Sequence, residues 1–278
     1  MPSHPDLPHS QISLPAGDLH YTQAGQGPAI LLIHGSLCDY RYWRWQIPAL
    51  AEESRVLAPS LRGCWPQVGH HPQPGYAIES HARDLQQLVH GLNLTAGVHV
   101  VGHSRGAQVA MAFAHLAPGL CRSLTLADPG FRFEDEPEVV PFYTDAVKQL
   151  SKGTTEAALE TFVDAVNGQG TWHQMVSWFK EMVRDNAMTL LSQIHEANLP
   201  VTLAQVRQLR CPLLLMGGTQ SPAKYGTRQD RLQQLVPHAQ RVRIALSAHG
   251  MNLSNPRAFN RALLNFVQTS TEMSALHS

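Results

Sequence analysis

Five consecutive residues, Gly102-His103-Ser104-Arg105-Gly106, have the types and spacing to do chemistry. An apolar run precedes them and a helical pattern follows at once, which predicts a strand, a sharp turn and a helix with the serine at the apex. Glycine at both flanks lets the backbone approach closely in so tight a turn. The turn exposes the hydroxyl and directs backbone N–H groups at whatever it attacks, so we predict that Ser104 is a nucleophile. On this motif alone, a small-residue turn in a nucleotide-binding sheet is the alternative.

A serine hydroxyl is a poor nucleophile at neutral pH and needs a base, which a third group must orient. His249 is the predicted base, because it lies in a loop of small residues directly after the last predicted strand. The carboxyl ends of parallel strands meet at one edge of a sheet, so this loop can reach Ser104. The alternative for His249 is an exposed loop histidine.

The acid that orients the histidine is predicted from where the strands end. Asp128 closes a predicted strand and is followed by Pro129-Gly130, which terminate it, so Asp128 is our choice. Its alternative role is to hydrogen-bond the backbone of its own turn. The loop after the later strand at 213–216 holds Ser221 and no carboxylate. Asp230 is the reserve candidate, although it lies in a predicted helix well past that strand.

Two backbone N–H groups are predicted to bind the oxyanion that forms when a carbonyl is attacked. One belongs to Arg105, at the start of the helix after the nucleophile. The other belongs to Ser36, in the loop after the first long strand, with Leu37 as the second choice. These are main-chain roles, so they do not depend on the identity of the side chains.

The elements that must position these residues alternate regularly. Near-continuous apolar strands separated by helices predict an α/β fold: a mostly parallel central sheet with helices on both faces. The strands are predicted at 12–14, 19–22, 29–33, 55–59, 98–101, 123–127, 213–216 and 242–245. The helices that flank them are predicted at 40–52, 78–92, 107–114, 225–235 and 256–267.

The stretch after the strand that ends at Asp128 breaks this alternation. It shows no strand pattern, and helical segments are predicted at 140–150, 155–166, 172–186 and 188–196. We therefore predict a helical cap inserted over the sheet. The resulting division is a loose N-terminal tail at 1–10, a core at 11–130 and 205–278, and the cap at 131–204.

The composition limits the class of protein. With 43% hydrophobic and 15% charged residues the chain can bury a large core, and its formal net charge of zero argues against nucleic acid or an anionic membrane as partner. No apolar stretch approaches the roughly 20 residues that span a membrane, and the N-terminus lacks a signal-peptide pattern. The four cysteines fit no metal spacing, which indicates free thiols in the cytoplasm. We expect no metal, no cofactor, and a monomer or homodimer.

Five segments together resemble the α/β-hydrolase superfamily, in its cap-bearing group of serine hydrolases. They are Ile33-His34-Gly35, Ser60-Leu61-Arg62-Gly63, the motif from Gly102 to Gly106, Leu124-Thr125-Leu126-Ala127-Asp128-Pro129 and Ala248-His249-Gly250. The resemblance leaves the cap unmatched. It implies hydrolysis of a carboxylic ester or related acyl compound through an acyl-enzyme, without a cofactor.

The chain departs from the commonest family pattern at the acid. Most relatives carry aspartate where this chain has Ser221, and some place the acid where Asp128 stands. The resemblance therefore leaves two alternatives, which are C–C bond hydrolysis and cofactor-independent dioxygenation of an aromatic heterocycle. A non-enzymatic ligand receptor is the least favoured. Serine at position 104 disfavours dehalogenase and epoxide-hydrolase chemistry, which in this fold uses aspartate there.

A small molecule with an apolar acyl or aromatic part is the expected substrate. The predicted cap carries large apolar residues at helical spacing, which either pack on the core or line a pocket. The candidates for substrate contact are His34, Leu37, His103, Trp172, Trp178 and Met251.

Overall fold

A computed structural model describes residues 7–67, 69–196 and 198–275 of the protein. Its strands are β1 (Ser10–Leu14), β2 (Gly17–Ala24), β3 (Ala29–Ile33), β4 (Arg55–Pro59), β5 (Val98–His103), β6 (Cys121–Ala127), β7 (Leu213–Gly218) and β8 (Gln240–Ile244). They form one sheet in the order β1-β2-β4-β3-β5-β6-β7-β8. The pairs β1–β2 and β2–β4 are antiparallel, and the other neighbours are parallel. The predicted mostly parallel sheet is confirmed.

Helices connect the strands and cover the sheet. They are α1 (Ile47–Leu50), α2 (Ile78–Gly91), α3 (Arg105–Leu116), α4 (Thr144–Ser151), α5 (Thr155–Asn167), α6 (Thr171–Gln174), α7 (Ser177–Asp185), α8 (Thr189–Gln193), α9 (Leu203–Arg207), α10 (Ala223–Leu235), α11 (Met251–Ser254) and α12 (Pro256–Ala275). Short 3-10 helices occupy Tyr40–Trp43, Pro118–Leu120 and Ile194–Glu196. Within the described ranges, none of the helices combines the length and the apolar character needed to cross a membrane.

The sheet has a hydrophobic core on each face, because successive side chains of a strand point to opposite sides. In β3 every residue is buried, and Ile30 packs in one core with Phe259 of α12. Its neighbour Leu31 packs in the other core with Phe113 of α3. Burial on both faces explains the continuous apolar run in the sequence.

Several predicted elements differ from those observed. The helix expected at 40–52 is a 3-10 turn followed by α1, because Pro48 lacks an N–H and fits only the first turn of a helix. The helix expected at 172–186 is interrupted at Met175 and Val176, which are extended, and β-branched valine favours that conformation. Of the predicted tail, 1–6 lies outside the described residues, and Ser10 already begins β1.

Helices α4 to α9 lie between β6 and β7; α4 to α8 fall in the stretch predicted as the cap, and α9 runs past its predicted end at 204. A single β-bridge between Phe133 and Val201 joins the two ends of this insertion. Asn186, just past α7, donates a 2.7 Å hydrogen bond to the buried carboxylate of Asp39 in the core. Glu196 forms an ion pair with Arg105 of α3. The insertion is thus tied to the core beside the carboxyl ends of the strands, while its exact limits at 131 and 204 stay a prediction.

Candidate active site

Ser104 occupies the sharp turn between β5 and α3 that its neighbours predict. Its backbone has φ 55° and ψ −121°, a conformation that costs free energy in any residue other than glycine. Hydrogen bonds from the Ser104 N–H to the Ala127 oxygen (2.9 Å) and from the Gly130 N–H to the Ser104 oxygen (3.0 Å) hold it there. The surrounding structure therefore fixes the strained serine at the carboxyl edge of the sheet.

Glycines make this turn possible by allowing backbone to pass close to backbone. A Cβ atom on Gly106 would collide with the carbonyl oxygens of Ile33 and His34, at the end of β3. A Cβ on Gly35 would lie 3.0 Å from the Cβ of Ser104. The glycine-flanked serine and the loop after β3 are therefore packed directly against each other.

His249 and Asp128 come together beside this turn. The Nδ1 atom of His249 lies 3.3 Å from Oδ2 of Asp128, and both side chains are buried. Asp128 also accepts a short hydrogen bond from the Ser221 hydroxyl and a 3.1 Å hydrogen bond from the Gln229 amide. The reserve candidate Asp230 instead forms an exposed ion pair with Arg241. Ser221, at the position where the family resemblance places the acid of most relatives, therefore donates a hydrogen bond to Asp128.

Two rings hold the imidazole of His249 between them. The Tyr225 ring stacks on it with centroids 4.3 Å apart and planes 16° apart, and the His103 ring lies 4.5 Å away. The Nε2 atom of His103 is 2.8 Å from the His249 carbonyl oxygen and donates to it. With Nδ1 turned to Asp128, Nε2 of His249 is the nitrogen left to exchange a proton.

Burial shifts the pKa values of the pair in opposite directions. Desolvation raises the pKa of Asp128 to about 6, partly offset by the hydrogen bond from Ser221. Desolvation lowers the pKa of His249 to about 3, and the positive charge of Lys224 lowers it further. At neutral pH the imidazole is therefore uncharged, which is the form that accepts a proton, and the carboxylate is ionised.

The two residues predicted to supply the oxyanion donors, Ser36 and Arg105, line the same cavity as Ser104. Arg105 is the first residue of α3, so its N–H has no partner within the helix and lies at the positive end of the helix dipole. Ser36 and Leu37 both line the cavity, and Leu37 has a positive φ of 60°, so the loop turns sharply there. The choice of Ser36 over Leu37 stays a prediction.

A cavity of about 870 Å³ opens over these residues and is roofed by the insertion. Of the predicted substrate contacts, Leu37, His103 and Trp178 line it. The structure places the other three elsewhere, which corrects those predictions.

Each of these three residues is buried for a structural reason. The Nε2 atom of His34 accepts a 3.0 Å hydrogen bond from the Leu61 N–H, so this side chain joins the loop after β3 to the loop after β4. Trp172 packs into the core of the insertion, and Met251 is fully enclosed at the start of α11.

Sequence reasoning missed the contribution of α10 to the cavity. Lys224, Tyr225 and Arg228 line it, although in the sequence the helix predicted at 225–235 drew attention only as the location of Asp230. The available signal was that the helix begins just after β7 ends, at the same edge of the sheet as Ser104.

In the part of the chain that the structure describes, no group of three or more His, Cys, Asp or Glu side chains is arranged to hold a metal ion.

Comparison with known proteins agrees with the fold. Residues 30–262 match the model of the alpha/beta hydrolase family, which is most of the chain. The protein therefore belongs to the alpha/beta hydrolase family, as its sequence motifs predicted.

Relatives within the family are hydrolases of several kinds. A soluble epoxide hydrolase of a Corynebacterium species is 35% identical over 123 residues, which cover 44% of this chain and 42% of that enzyme. A protein of Agrobacterium fabrum provisionally named carbamate hydrolase RutD is 25% identical over 263 residues, or 90% of this chain and 97% of the relative. A thermophilic esterase from Thermogutta terrifontis has a similar structure, with a TM-score of 0.78 and 23% identity over 95% of this chain and 99% of that one.

Proposed function

We propose that this protein is a cofactor-free serine hydrolase that acts on a carboxylic ester or a related acyl compound. Ser104 attacks the carbonyl carbon while Nε2 of His249 takes the hydroxyl proton. Asp128 accepts the Nδ1–H hydrogen bond and stabilises the imidazolium that forms. The N–H groups of Arg105 and Ser36 donate to the oxyanion of the tetrahedral intermediate.

The intermediate then loses its alcohol and leaves an acyl-enzyme. His249 returns the proton to the departing alkoxide, so the C–O bond breaks without releasing a strong base. Water next attacks the acyl group, gives its proton to His249, and the acid is released as Ser104 recovers its hydrogen. The two half-reactions use the same donors and the same base.

One observation carries the proposal: a strained serine lies at the edge of the sheet beside a buried histidine whose Nδ1 faces a buried carboxylate. The arrangement also separates this chain from its epoxide hydrolase relative. A serine that opened an epoxide would be left as an ether, which water does not readily cleave, whereas an acyl-serine ester is hydrolysed. We therefore favour acyl chemistry.

In more detail, we propose that the enzyme is cytoplasmic and that its substrate has an apolar acyl or aromatic part. Phe142, Phe162 and Trp178 line the cavity, so an apolar group would be removed from water on binding. The four cysteines are free, the state that a reducing compartment maintains.

The test combines covalent labelling with turnover of short activated esters. A fluorophosphonate should add one mass adduct to the peptide that contains Ser104, and Ser104→Ala should abolish it. Ester turnover should fall about 10³-fold or more, because only binding and the oxyanion donors remain. Ser151→Ala is the matched control, since this exposed serine of α4 only bonds its own helix. Labelling of Ser104 without hydrolysis of any ester would contradict the proposed reaction, although not the nucleophile.

A further inference from the structure

The cavity wall carries an excess of positive charge. Among the described residues that line it are four cations, Arg105, Arg132, Lys224 and Arg228, and one carboxylate, Glu196. The chain as a whole has a formal net charge of zero. The excess at the cavity is therefore local and calls for a physical explanation.

Two of the four cations are held by contacts within the protein. Arg105 and Glu196 form a buried two-pronged ion pair, with both N–O distances at 2.8 Å, so their charges cancel. Both terminal nitrogens of Arg132 donate to backbone oxygens near the ends of the insertion, those of Phe133, Glu136 and Asn198, although its Nε has no partner. This leaves the two cations of α10.

Lys224 and Arg228 are four positions apart on α10, so they lie on the same face of the helix, where like charges repel. In the described part of the chain neither has a carboxylate within ion-pair distance. The Nζ atom of Lys224 lies 4.6 Å from the centre of the Phe142 ring. Arg228 donates one 2.8 Å hydrogen bond to the Pro129 oxygen, and its Nε is buried without a hydrogen-bond partner.

Burial makes the lack of a counter-ion costly. Desolvation lowers the pKa of Lys224 and of Arg228, and the charge of Arg228 lowers that of Lys224 further. The more distant carboxylates of Glu136 and Asp128 offset the shift of the Arg228 pKa only in part. A protein that holds two neighbouring cations in a partly buried site loses free energy unless an anion joins them.

The pair also lies close to the reacting groups. Tyr225, between the two in sequence, stacks on His249, and both cations line the cavity that contains Ser104. An anion bound here would therefore belong to the molecule whose carbonyl reaches Ser104.

We propose that Lys224 and Arg228 bind a carboxylate of the substrate, so that the preferred substrates are acyl compounds with an anionic end besides the reacting carbonyl. The ammonium and the guanidinium can both donate to the two oxygens of one carboxylate. The inference rests on the proposed function, since it names the substrate class of the same site.

The test uses pairs of esters that differ only in charge. The 4-nitrophenyl monoester of adipate is matched with 4-nitrophenyl hexanoate, in which a methyl group replaces the carboxylate. A second pair places the charge on the alcohol: the hexanoyl ester of a phenol that carries a propanoate chain, and the methyl ester of that compound. In at least one pair, kcat/KM should favour the anionic ester by about 10- to 100-fold, the range that hydrogen bonds to charged groups confer.

Variants then assign the preference to the two residues. Lys224→Met and Arg228→Met should each reduce the anionic-to-neutral ratio, and Lys224→Glu should shift the preference to a hexanoyl ester with a terminal ammonium. Arg231→Met is the matched control: it removes a cation from the same helix, but one that pairs with Asp135. It should leave the ratio unchanged. No anionic preference in either pair, or a preference that survives both Met variants, would overturn the inference.

A binding measurement separates this failure from failure of the proposed reaction. Calorimetry on the unmodified protein compares adipamic acid with hexanamide, which lacks the carboxylate and keeps the amide carbonyl. If no ester is hydrolysed yet adipamic acid binds more tightly, and Lys224→Met removes the difference, the anion site stands and the reaction is wrong. Calorimetry on the amide analogues of the second ester pair tests the alcohol side in the same way. Equal binding within both amide pairs overturns the anion site whether or not esters are cleaved.

Discussion

At the scale of single residues, the proposed reaction depends on one buried carboxylate and one buried imidazole. Asp128 turns toward His249 at the end of β6, with its backbone at a positive φ of 39°. Ser221 and Gln229 occupy its other lone pairs, so the carboxylate is held in one orientation. We attribute the direction of the imidazole to this network.

Replacing Asp128 by asparagine should lower turnover by roughly 10²–10⁴-fold while the fold is kept. The amide would present an N–H to Nδ1 and so stabilise the tautomer whose Nε2 already carries hydrogen. Steady-state rates on an activated ester measure the loss. Asp230→Asn is the control, since that residue pairs with Arg241 at the surface. Equal losses in the two variants would show that Asp128 has no special role.

Activity should fall as the pH drops through about 6, where burial places the pKa of Asp128. The active form holds an ionised Asp128 and a neutral His249, and one proton entering the pair abolishes it. Above this pH the profile of kcat/KM should be flat up to the point where other groups titrate. Circular dichroism at pH 5 must show a folded protein. A constant kcat/KM from pH 8 to pH 5 would contradict this assignment.

At the scale of elements, the contact between α3 and the insertion attaches the roof of the cavity to the core. The Arg105 side chain leaves the helix that follows Ser104 and pairs with Glu196, and each is less than a tenth exposed. Arg105 also lies 4.8 Å above the Tyr76 ring. This pair connects the helix that follows Ser104 to the roof of the cavity.

Glu196→Gln should therefore destabilise the protein by about 3–5 kcal/mol, because it leaves the Arg105 guanidinium buried without a counter-charge. Urea unfolding measures the difference. Glu156→Gln is the control: its ion pair with Arg184 is exposed, and such pairs contribute about 1 kcal/mol or less. If the free energy of unfolding fell by the same small amount in both variants, the Arg105–Glu196 pair would not anchor the insertion.

The elements near Ser104 could be predicted because their signals are local. A strand ends where Asp128 meets Pro129, and glycines mark the turn, so the sequence alone indicated which side chains share the sheet edge. The insertion has no such signal. The break at Val176 and the direction of α10 depend on packing between distant segments, which is why Trp172 was misplaced and Lys224 was missed.

At the scale of the whole molecule, the buried carboxylate of Asp128 lowers the stability of the folded protein. The pKa of Asp128 is higher in the folded state than its unfolded value near 3.9, so the folded protein binds more protons between about pH 4 and pH 6. The carboxylate therefore destabilises the fold, and the full penalty is present above about pH 6.

At pH 8 the free energy of unfolding of Asp128→Asn should consequently exceed that of the wild type by about 1–3 kcal/mol. The variant should therefore unfold at a higher denaturant concentration. The gain should shrink as the pH falls and vanish near pH 3, where the wild-type carboxyl group is largely neutral in both states. Chemical unfolding at the two pH values measures it. A variant that is less stable at pH 8 would show that the ionised carboxylate stabilises the fold.

Trapping the covalent intermediate tests most directly whether Ser104 is the nucleophile. When an activated ester is mixed with the enzyme and quenched in acid within milliseconds, intact-protein mass spectrometry should show the mass of one acyl group. Peptide mapping should place that group on Ser104, and His249→Ala should strongly reduce its formation. Turnover that continues with no acyl group on Ser104, or with the group on another residue, would contradict the account.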